Sequence, residues 1–299
     1  MSERKALLIL HGKQALNEQV RAAVERKRQQ GWELAVRLTW EAGDAQRLVG
    51  EALTAGYTQL IAGGGDGTLR DIAETMALHP GEASLVILPL GTANDFSRAA
   101  GISLVPEEAL ELLNVPAQAI DLGEVDGQIF LNMATGGFGS QVTANTSEEL
   151  KRILGGAAYL FTGLTRFGEL HAAYGELHGP GFQWQGDLLA LGIGNGRQAG
   201  GGHVLCPDAL VNDGLLDISI LPAPQEWVGT LRDLMAEGWG IDNMFVRARL
   251  PWVEIKVSEG LHINLDGEPL EGERLRFSVR PKVLRVHLPL GSPLLHVSG

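Results

Sequence analysis

Gly63-Gly64-Gly65-Asp66-Gly67-Thr68 decides how the chain is read, because of what stands on either side of it. Before it runs Leu60-Ile61-Ala62, with the composition of a buried strand, and after it residues 69–76 carry the pattern of a helix. A strand, a glycine turn and a helix start make an anion site. The four glycines leave the backbone open to a close ligand and permit the positive φ angles of a tight turn. N–H groups freed at the turn, together with the positive end of the helix macrodipole, can then face phosphate oxygens. Neither G-x-G-x-x-G nor G-x-x-x-x-G-K-[ST] fits, so the stretch is neither the usual dinucleotide fingerprint nor a Walker A loop. With no lysine inside it, the charge of a bound nucleotide has to be met by backbone dipoles, a metal ion or a cation from elsewhere.

Outward from the loop, strands and helices alternate. Residues 5–10 read as a first buried strand, 14–30 as a basic amphipathic helix stopped by Gly31, and 33–40 as a second strand. A helix over 44–55 closed by Gly56 and strands over 59–62 and 84–88 follow. This alternation predicts a doubly wound α/β domain with a mostly parallel sheet, whose ligands lie beyond the carboxyl ends of its strands. Three segments occupy that edge: Thr39 with Trp40, the glycine loop, and Pro89-Leu90-Gly91-Thr92-Ala93-Asn94-Asp95-Phe96. In the third, Thr92 and Asn94 can hydrogen-bond a nucleotide or a substrate hydroxyl, and Asp95 can cap the helix running toward Ala100.

Near residue 122 the character of the chain changes. Strand patterns dominate over 128–134, 186–194, 214–221, 246–257, 262–265, 274–279 and 283–288, and Asp126-Gly127 reads as a tight hairpin turn. We therefore expect an α/β domain over 1–122 and a β-rich sandwich over 123–299, with the last residues able to return to the first domain. Two helices interrupt the second domain, one behind the capping box of Thr146 and Glu149 and one over 224–237. Glycine returns in 134–139 and 194–202, as expected where another backbone or a ligand comes close. Asp213-Gly214 reads either as a hairpin turn or as an oxygen-rich corner for Mg²⁺ or Ca²⁺. Asp266-Gly267 can turn the chain so that Glu268 projects into a cleft between the domains. Along 274–280 a strand would set Arg274, Arg276 and Arg280 on one face and Leu275, Phe277 and Val279 on the other, a candidate basic patch for anionic headgroups.

Bulk composition narrows the partners. The chain has 299 residues, 44 % of them hydrophobic and 20 % charged, the profile of a soluble globular protein of two ordinary domains. A formal charge of −12 argues against nucleic acid, which wants a basic footprint. The single cysteine, Cys206, excludes an internal disulfide, and no apolar stretch has membrane-spanning length. A cytoplasmic protein without a transmembrane segment is expected.

Gly63 to Thr68 resembles the signature loop of the diacylglycerol kinase catalytic superfamily, which also takes in sphingosine kinases and, more distantly, NAD kinases and phosphofructokinases. Pro89 to Phe96 resembles the lipid-kinase version of its loop, and Asn195-Gly196-Arg197-Gln198-Ala199-Gly200-Gly201-Gly202 is similar to bacterial YegS-type lipid kinases. The likeness covers nearly the whole chain. It implies an ATP-dependent kinase acting on a hydroxyl of a membrane lipid, phosphatidylglycerol- or diacylglycerol-like, at the inner membrane surface. Nucleotide and Mg²⁺ would lie in the interdomain cleft.

The same resemblance places Thr39, Gly63, Gly64, Gly65, Asp66, Gly67, Thr68, Leu69, Arg70, Asp71, Thr92 and Asn94 around the nucleotide. It puts a second metal, Mg²⁺ or Ca²⁺, at Leu210, Asp213 and Leu215, and it makes Glu268 the acceptor of the hydroxyl proton, with Asp66 serving the phosphates and their Mg²⁺. One departure stands out. After G-D-G-T the family continues with an apolar residue, Asn and Glu, whereas this chain has Leu69-Arg70-Asp71. Arg70 is either a cation for the phosphates or a solvent-facing side chain. An NAD kinase-like enzyme and a catalytically silent nucleotide- or lipid-binding regulator are the competing readings.

Overall fold

The computed structural model describes residues 4–79, 81, 83–136, 173–223, 244–257, 263–270 and 272–296. In the first half β1 (Lys5–His11), β2 (Glu33–Thr39), β3 (Gln59–Gly64) and β4 (Ser84–Pro89) lie in the order β2-β1-β3-β4, all parallel. Leu7 to Leu10, Leu60 to Ala62 and Leu85 to Leu88 are buried, which accounts for apolar runs in place of alternation. The helices α1 (Glu18–Gln29), α2 (Asp44–Thr54), α3 (Asp66–Leu78), α4 (Asp95–Ala99) and α5 (Pro106–Leu110) accompany this sheet. The first helix starts four residues later than its periodicity suggests. Residues 12–14 form a 3₁₀ turn, and the Asn17 side chain then accepts the N–H groups of Gln19 and Val20 as an N-cap.

After β5 (Gln118–Val125) the chain is strand-rich. It runs through β6 (Gln128–Phe130), β7 (Met133–Gly136), β8 (Ala173–Gly179), β9 (Phe182–Gly194), β10 (Gln198–Ala199) and β11 (His203–Val204). Then come β12 (Leu216–Pro222), β13 (Val246–Leu250), β14 (Trp252–Val257), β15 (Ile263–Leu265), β16 (Glu268–Leu270) and β17 (Arg274–Val286). The expected helices at 146–164 and 224–237 lie outside the described residues.

Two expected strands are split, and two are fused. Pro251, which has no N–H to give a ladder, divides 246–257 into β13, paired with β12, and β14, paired with β8 and β17. Conversely, 274–279 and 283–288 join as the 13-residue β17. Its first half pairs with β14, and its second half runs along β5 and touches β4 in parallel at Val286 and Leu85. One sheet therefore continues from the α/β half into the β-rich half. Where β17 crosses, its register shifts between Arg280 and Leu284, and Lys282 sits at φ 55. The buried Asp121 holds this bulge, accepting the N–H of Lys282 at 2.8 Å and that of Gly214 at 2.7 Å. Beyond β17 the chain stays against the first half: the buried His287 ring bonds the Val115 carbonyl at 2.6 Å and the Ser84 hydroxyl at 2.8 Å.

Candidate functional site

The glycine loop is shorter than its sequence suggests. β3 runs on through Gly64 and α3 begins at Asp66, so Gly65 alone joins strand to helix. None of Gly63, Gly64, Gly65 and Gly67 has a positive φ, which corrects the expectation of a left-handed turn. The glycines serve clearance. A Cβ on Gly64 would stand 2.5 Å from the Thr68 hydroxyl, and one on Gly91 would stand 2.5 Å from the Cα of Gly65, so the two loops can touch only as bare backbone. Gly65 brings no side chain to cap α3, whose first helical bond is the one from Leu69 N–H to the Gly65 carbonyl, 3.0 Å. The N–H groups of Asp66, Gly67 and Thr68 thus lack intrahelical acceptors at the positive end of a 13-residue helix.

That end opens on a cleft of about 920 Å³ at the carboxyl edge of the parallel strands. Of the residues expected around a nucleotide, Thr39, Gly64, Gly65, Gly67, Thr68, Arg70 and Asp71 line it, and Glu268 joins them from the second half. Gly63 and Leu69 are buried: the first is a strand residue packed on the Leu8 and Leu10 side chains, the second is core. Thr92 lines neither the cleft nor the smaller interdomain cavity described below. Asn94 is also buried, and its amide is spent within its own loop, accepting from Gly91 N–H at 2.9 Å and donating to the Gly91 carbonyl at 2.8 Å. Lys13 lines the cleft as well and was missed. The signal was present, since His11-Gly12-Lys13 follows directly on a buried strand and so falls on the ligand edge.

Asp66 faces the other way. Its carboxylate meets the backbone amides of Asn94, Asp95 and Phe96 at the start of α4, and it borders a second cavity of about 360 Å³ between the two halves. Burial and the nearby Asp95 raise its pKa, against the pull of those amides. Asp95 does not cap its own helix as expected; Asn94 holds the N-cap position in a left-handed conformation. The Asp95 oxygens instead accept the N–H groups of Gly201 and Gly202 at 3.0 and 2.6 Å, tying α4 to the glycine-rich stretch of the second half.

Glu268 owes its place to a residue the sequence did not single out for chemistry. Asp266 and Gly267 turn the chain between β15 and β16, both at positive φ, and the buried end of Asp266 accepts the N–H groups of Leu131, Asn132 and Met133 at 2.7, 3.1 and 2.8 Å. Those three amides are where the expected strand 128–134 breaks into β6 and β7. Glu268 follows with its side chain 65 % exposed on the cleft, and Arg70 Nη1 stands 3.4 Å from it. Arg70 also holds Asp71 through Nε and Nη2 at 3.2 and 2.7 Å, and it borders both cavities. Its side chain is only 18 % exposed, which rules out the solvent-facing reading. Asp266→Ala would leave three amides without their acceptor, and we expect it to lower stability by about 3 kcal/mol. Urea unfolding checks this, and an unchanged midpoint would contradict the anchoring role.

The proposed metal corner is already occupied by protein. One oxygen of Asp213 accepts the Leu215 N–H at 3.0 Å and the other is paired with Arg249, whose Nε also lies 3.3 Å from Asp217. Burial pushes Asp217 up to about 6 against the pull of that guanidinium. With Arg249 there, both Asp213 oxygens are engaged, and the corner as it stands offers a cation no free oxygen of that carboxylate. Millimolar Mg²⁺ or Ca²⁺ should therefore leave the melting temperature of the nucleotide-free protein unchanged. A metal-dependent rise that Asp213→Ala abolishes would restore the corner as a metal site. The basic face of β17 is likewise compensated: Arg276 pairs with Glu254 and lies 4.2 Å over the Trp252 ring, and Arg280 lies 3.4 Å from Glu124.

This geometry has relatives. A family model for the diacylglycerol kinase catalytic domain matches residues 5–125, and one for the YegS C-terminal NAD kinase beta sandwich-like domain matches residues 133–288. A protein of Pseudomonas fluorescens (strain Pf0-1) named "Probable lipid kinase YegS-like" is 83 % identical over 295 residues, 99 % of this chain and 97 % of that protein. A protein of the same name from Pseudomonas aeruginosa (strain UCBPP-PA14) is 68 % identical over 295 residues, 99 % of this chain and 98 % of its own. The crystal structure of a diacylglycerol kinase from Bacillus anthracis str. Sterne matches with a TM-score of 0.75 over 98 % of this chain and 99 % of that one, at 20 % identity, a likeness of fold. The chain belongs to the YegS-like family, in which a diacylglycerol kinase catalytic domain is followed by the YegS C-terminal domain.

Proposed function

We propose that the protein is an ATP-dependent kinase that phosphorylates a hydroxyl of a membrane lipid of the phosphatidylglycerol or diacylglycerol kind. The observation that carries this reading is the uncapped start of α3 opening on a cleft that Glu268 also lines, brought in from the second half. Triphosphate oxygens would sit on the amides of Asp66, Gly67 and Thr68, with Lys13 and Arg70 as the cations that the loop itself lacks. Mg²⁺ carried by ATP needs only one or two protein carboxylates beside the phosphates; Asp66, behind the loop, and Asp71, on the cleft wall, are the first two carboxylates of α3, and Asp71 would have to give up its bond to Arg70 to serve. The ion would neutralise charge on the phosphates during transfer.

The acceptor hydroxyl would approach from the interdomain cavity bordered by Asp66 and Arg70. Its oxygen attacks the γ-phosphorus, the bond from that phosphorus to the β,γ-bridging oxygen breaks, and ADP leaves. The hydroxyl proton passes to a carboxylate, a role we assign to Glu268. Among the described residues no helix is long and apolar enough to cross a membrane; because the proposed donor is ATP and the proposed acceptor a membrane lipid, we place the reaction at the cytoplasmic membrane surface. With Arg276 and Arg280 already paired, the β17 arginines lend that contact little support.

Incubation with γ-labelled ATP and a panel of phosphatidylglycerol, diacylglycerol and NAD tests the reading. Label in a lipid is the expected result. Label in NAD alone would give the place to an NAD kinase-like activity, and label in none would leave a silent binding protein.

A further inference from the structure

Trp40 is 94 % exposed, more than any other large apolar side chain among the described residues. A side chain of this size gains most from burial, so its exposure calls for a reason. The backbone beneath it is fixed. Asp44 accepts the N–H groups of Trp40 and Glu41 at 2.7 and 3.1 Å, and its other oxygen takes Arg47 Nη2 at 2.6 Å. Arg47 first and then those two amides hold the Asp44 carboxyl down at about 2, so this clamp persists across the physiological range. The indole is therefore presented to solvent from a pinned turn, on the wall of the cleft that also carries Gly64, Gly65 and Gly67.

Strand order sets its distance from the phosphate end. β3, β1 and β2 are consecutive neighbours, so the end of β2 lies two strand spacings, roughly 10 Å, from the start of α3. That span is of the order separating the terminal phosphate from the base in an extended nucleotide. The path between them crosses the end of β1 at Gly12, where a Cβ would stand 2.4 Å from the Thr39 carbonyl oxygen. Bare backbone there keeps Thr39 and Trp40 close against β1.

We infer that Trp40 is the nucleobase platform of the cleft: its indole face stacks on the purine ring and gives the site affinity for the base that is independent of the phosphates. Phosphates alone would not distinguish a nucleotide from inorganic polyphosphate, and a stacked ring does. The inference rests on the nucleotide reading above.

Calorimetric titration of ADP and of inorganic tripolyphosphate into wild type, Trp40→Ala, Trp40→Phe and Gly67→Glu separates the two. A Cβ on Gly67 meets nothing within 4 Å, so the glutamate is accommodated and sets its charge against phosphate. Trp40→Ala should weaken ADP roughly ten- to a hundred-fold and leave tripolyphosphate unchanged, while Trp40→Phe keeps most of the ADP affinity. Gly67→Glu should weaken both ligands. ADP bound by Trp40→Ala as tightly as by wild type overturns the platform, as does an equal loss of ADP and tripolyphosphate in that variant. Insensitivity of both ligands to Gly67→Glu would instead remove the phosphate site and leave the platform standing. Leu16 and Leu38 are also exposed, so binding to phosphatidylglycerol vesicles is measured in parallel. Loss of vesicle binding in Trp40→Ala with ADP affinity intact would make the indole a membrane contact and refute the inference.

Discussion

Asp66→Asn should cut lipid phosphorylation roughly 10³-fold while the protein unfolds at the same denaturant concentration as wild type. Asparagine keeps an oxygen for the amides of Asn94, Asp95 and Phe96 at the start of α4, so the loop retains its shape and loses only its charge. The carboxylate lies where the glycine loop, α4 and the interdomain cavity meet, and burial holds its pKa above that of an ordinary aspartate. Its charged form is thus lost at a higher pH than usual as the solution is acidified. The acid limb of the wild-type kcat/KM profile should sit correspondingly high. Near wild-type turnover by a folded Asp66→Asn protein would remove this residue from the chemistry.

Glu268→Gln is expected to lower kcat roughly 10²- to 10⁴-fold with little change in ATP affinity. The side chain is well exposed at the cleft wall and 3.4 Å from Arg70, so glutamine preserves its size and removes the site for a proton. Single-turnover rates and ATP titrations on the same preparation separate the two effects. An equal loss of nucleotide binding would show that the Arg70–Glu268 pair positions the phosphates, and Glu268 would then cease to be the proton acceptor.

The parallel sheet and the ligand edge were legible because both follow from local patterns. Apolar runs bounded by glycines or caps give the strands, and their alternation with helices gives the parallel order. The glycine loop was read as an anion site for a reason only half right. Its glycines avoid the Thr68 side chain and the backbone of Gly91, a contact between loops distant in sequence, and do not supply positive φ. Three other residues show the same limit of local reading. Asp95 looked like a local helix cap and is instead bonded to amides more than a hundred residues away. Asp266 turns the chain as read, and in addition it organises the break between β6 and β7 from the far end of the domain. Asp213 reads as a turn or as a cation corner, and its ion-pair partner Arg249, which bears on that choice, lies 36 residues on. A carboxylate answering a distant amide or guanidinium leaves no periodicity to find. Thr39, Gly65, Thr68 and Glu268, expected on the ligand edge, line one cleft, and they sit at strand ends or tight turns, where chain direction alone fixes the neighbourhood.

The proposed activity stands or falls on phosphates docking at the start of α3 and on the terminal phosphoryl group passing from there to a lipid. Its most direct measurement is transfer of label from γ-labelled ATP into the extracted lipid of phosphatidylglycerol- and diacylglycerol-containing vesicles, by wild type and by Gly67→Glu side by side. Labelled lipid is expected with wild type and none above background with a folded Gly67→Glu protein. Equal labelling by both proteins would contradict it.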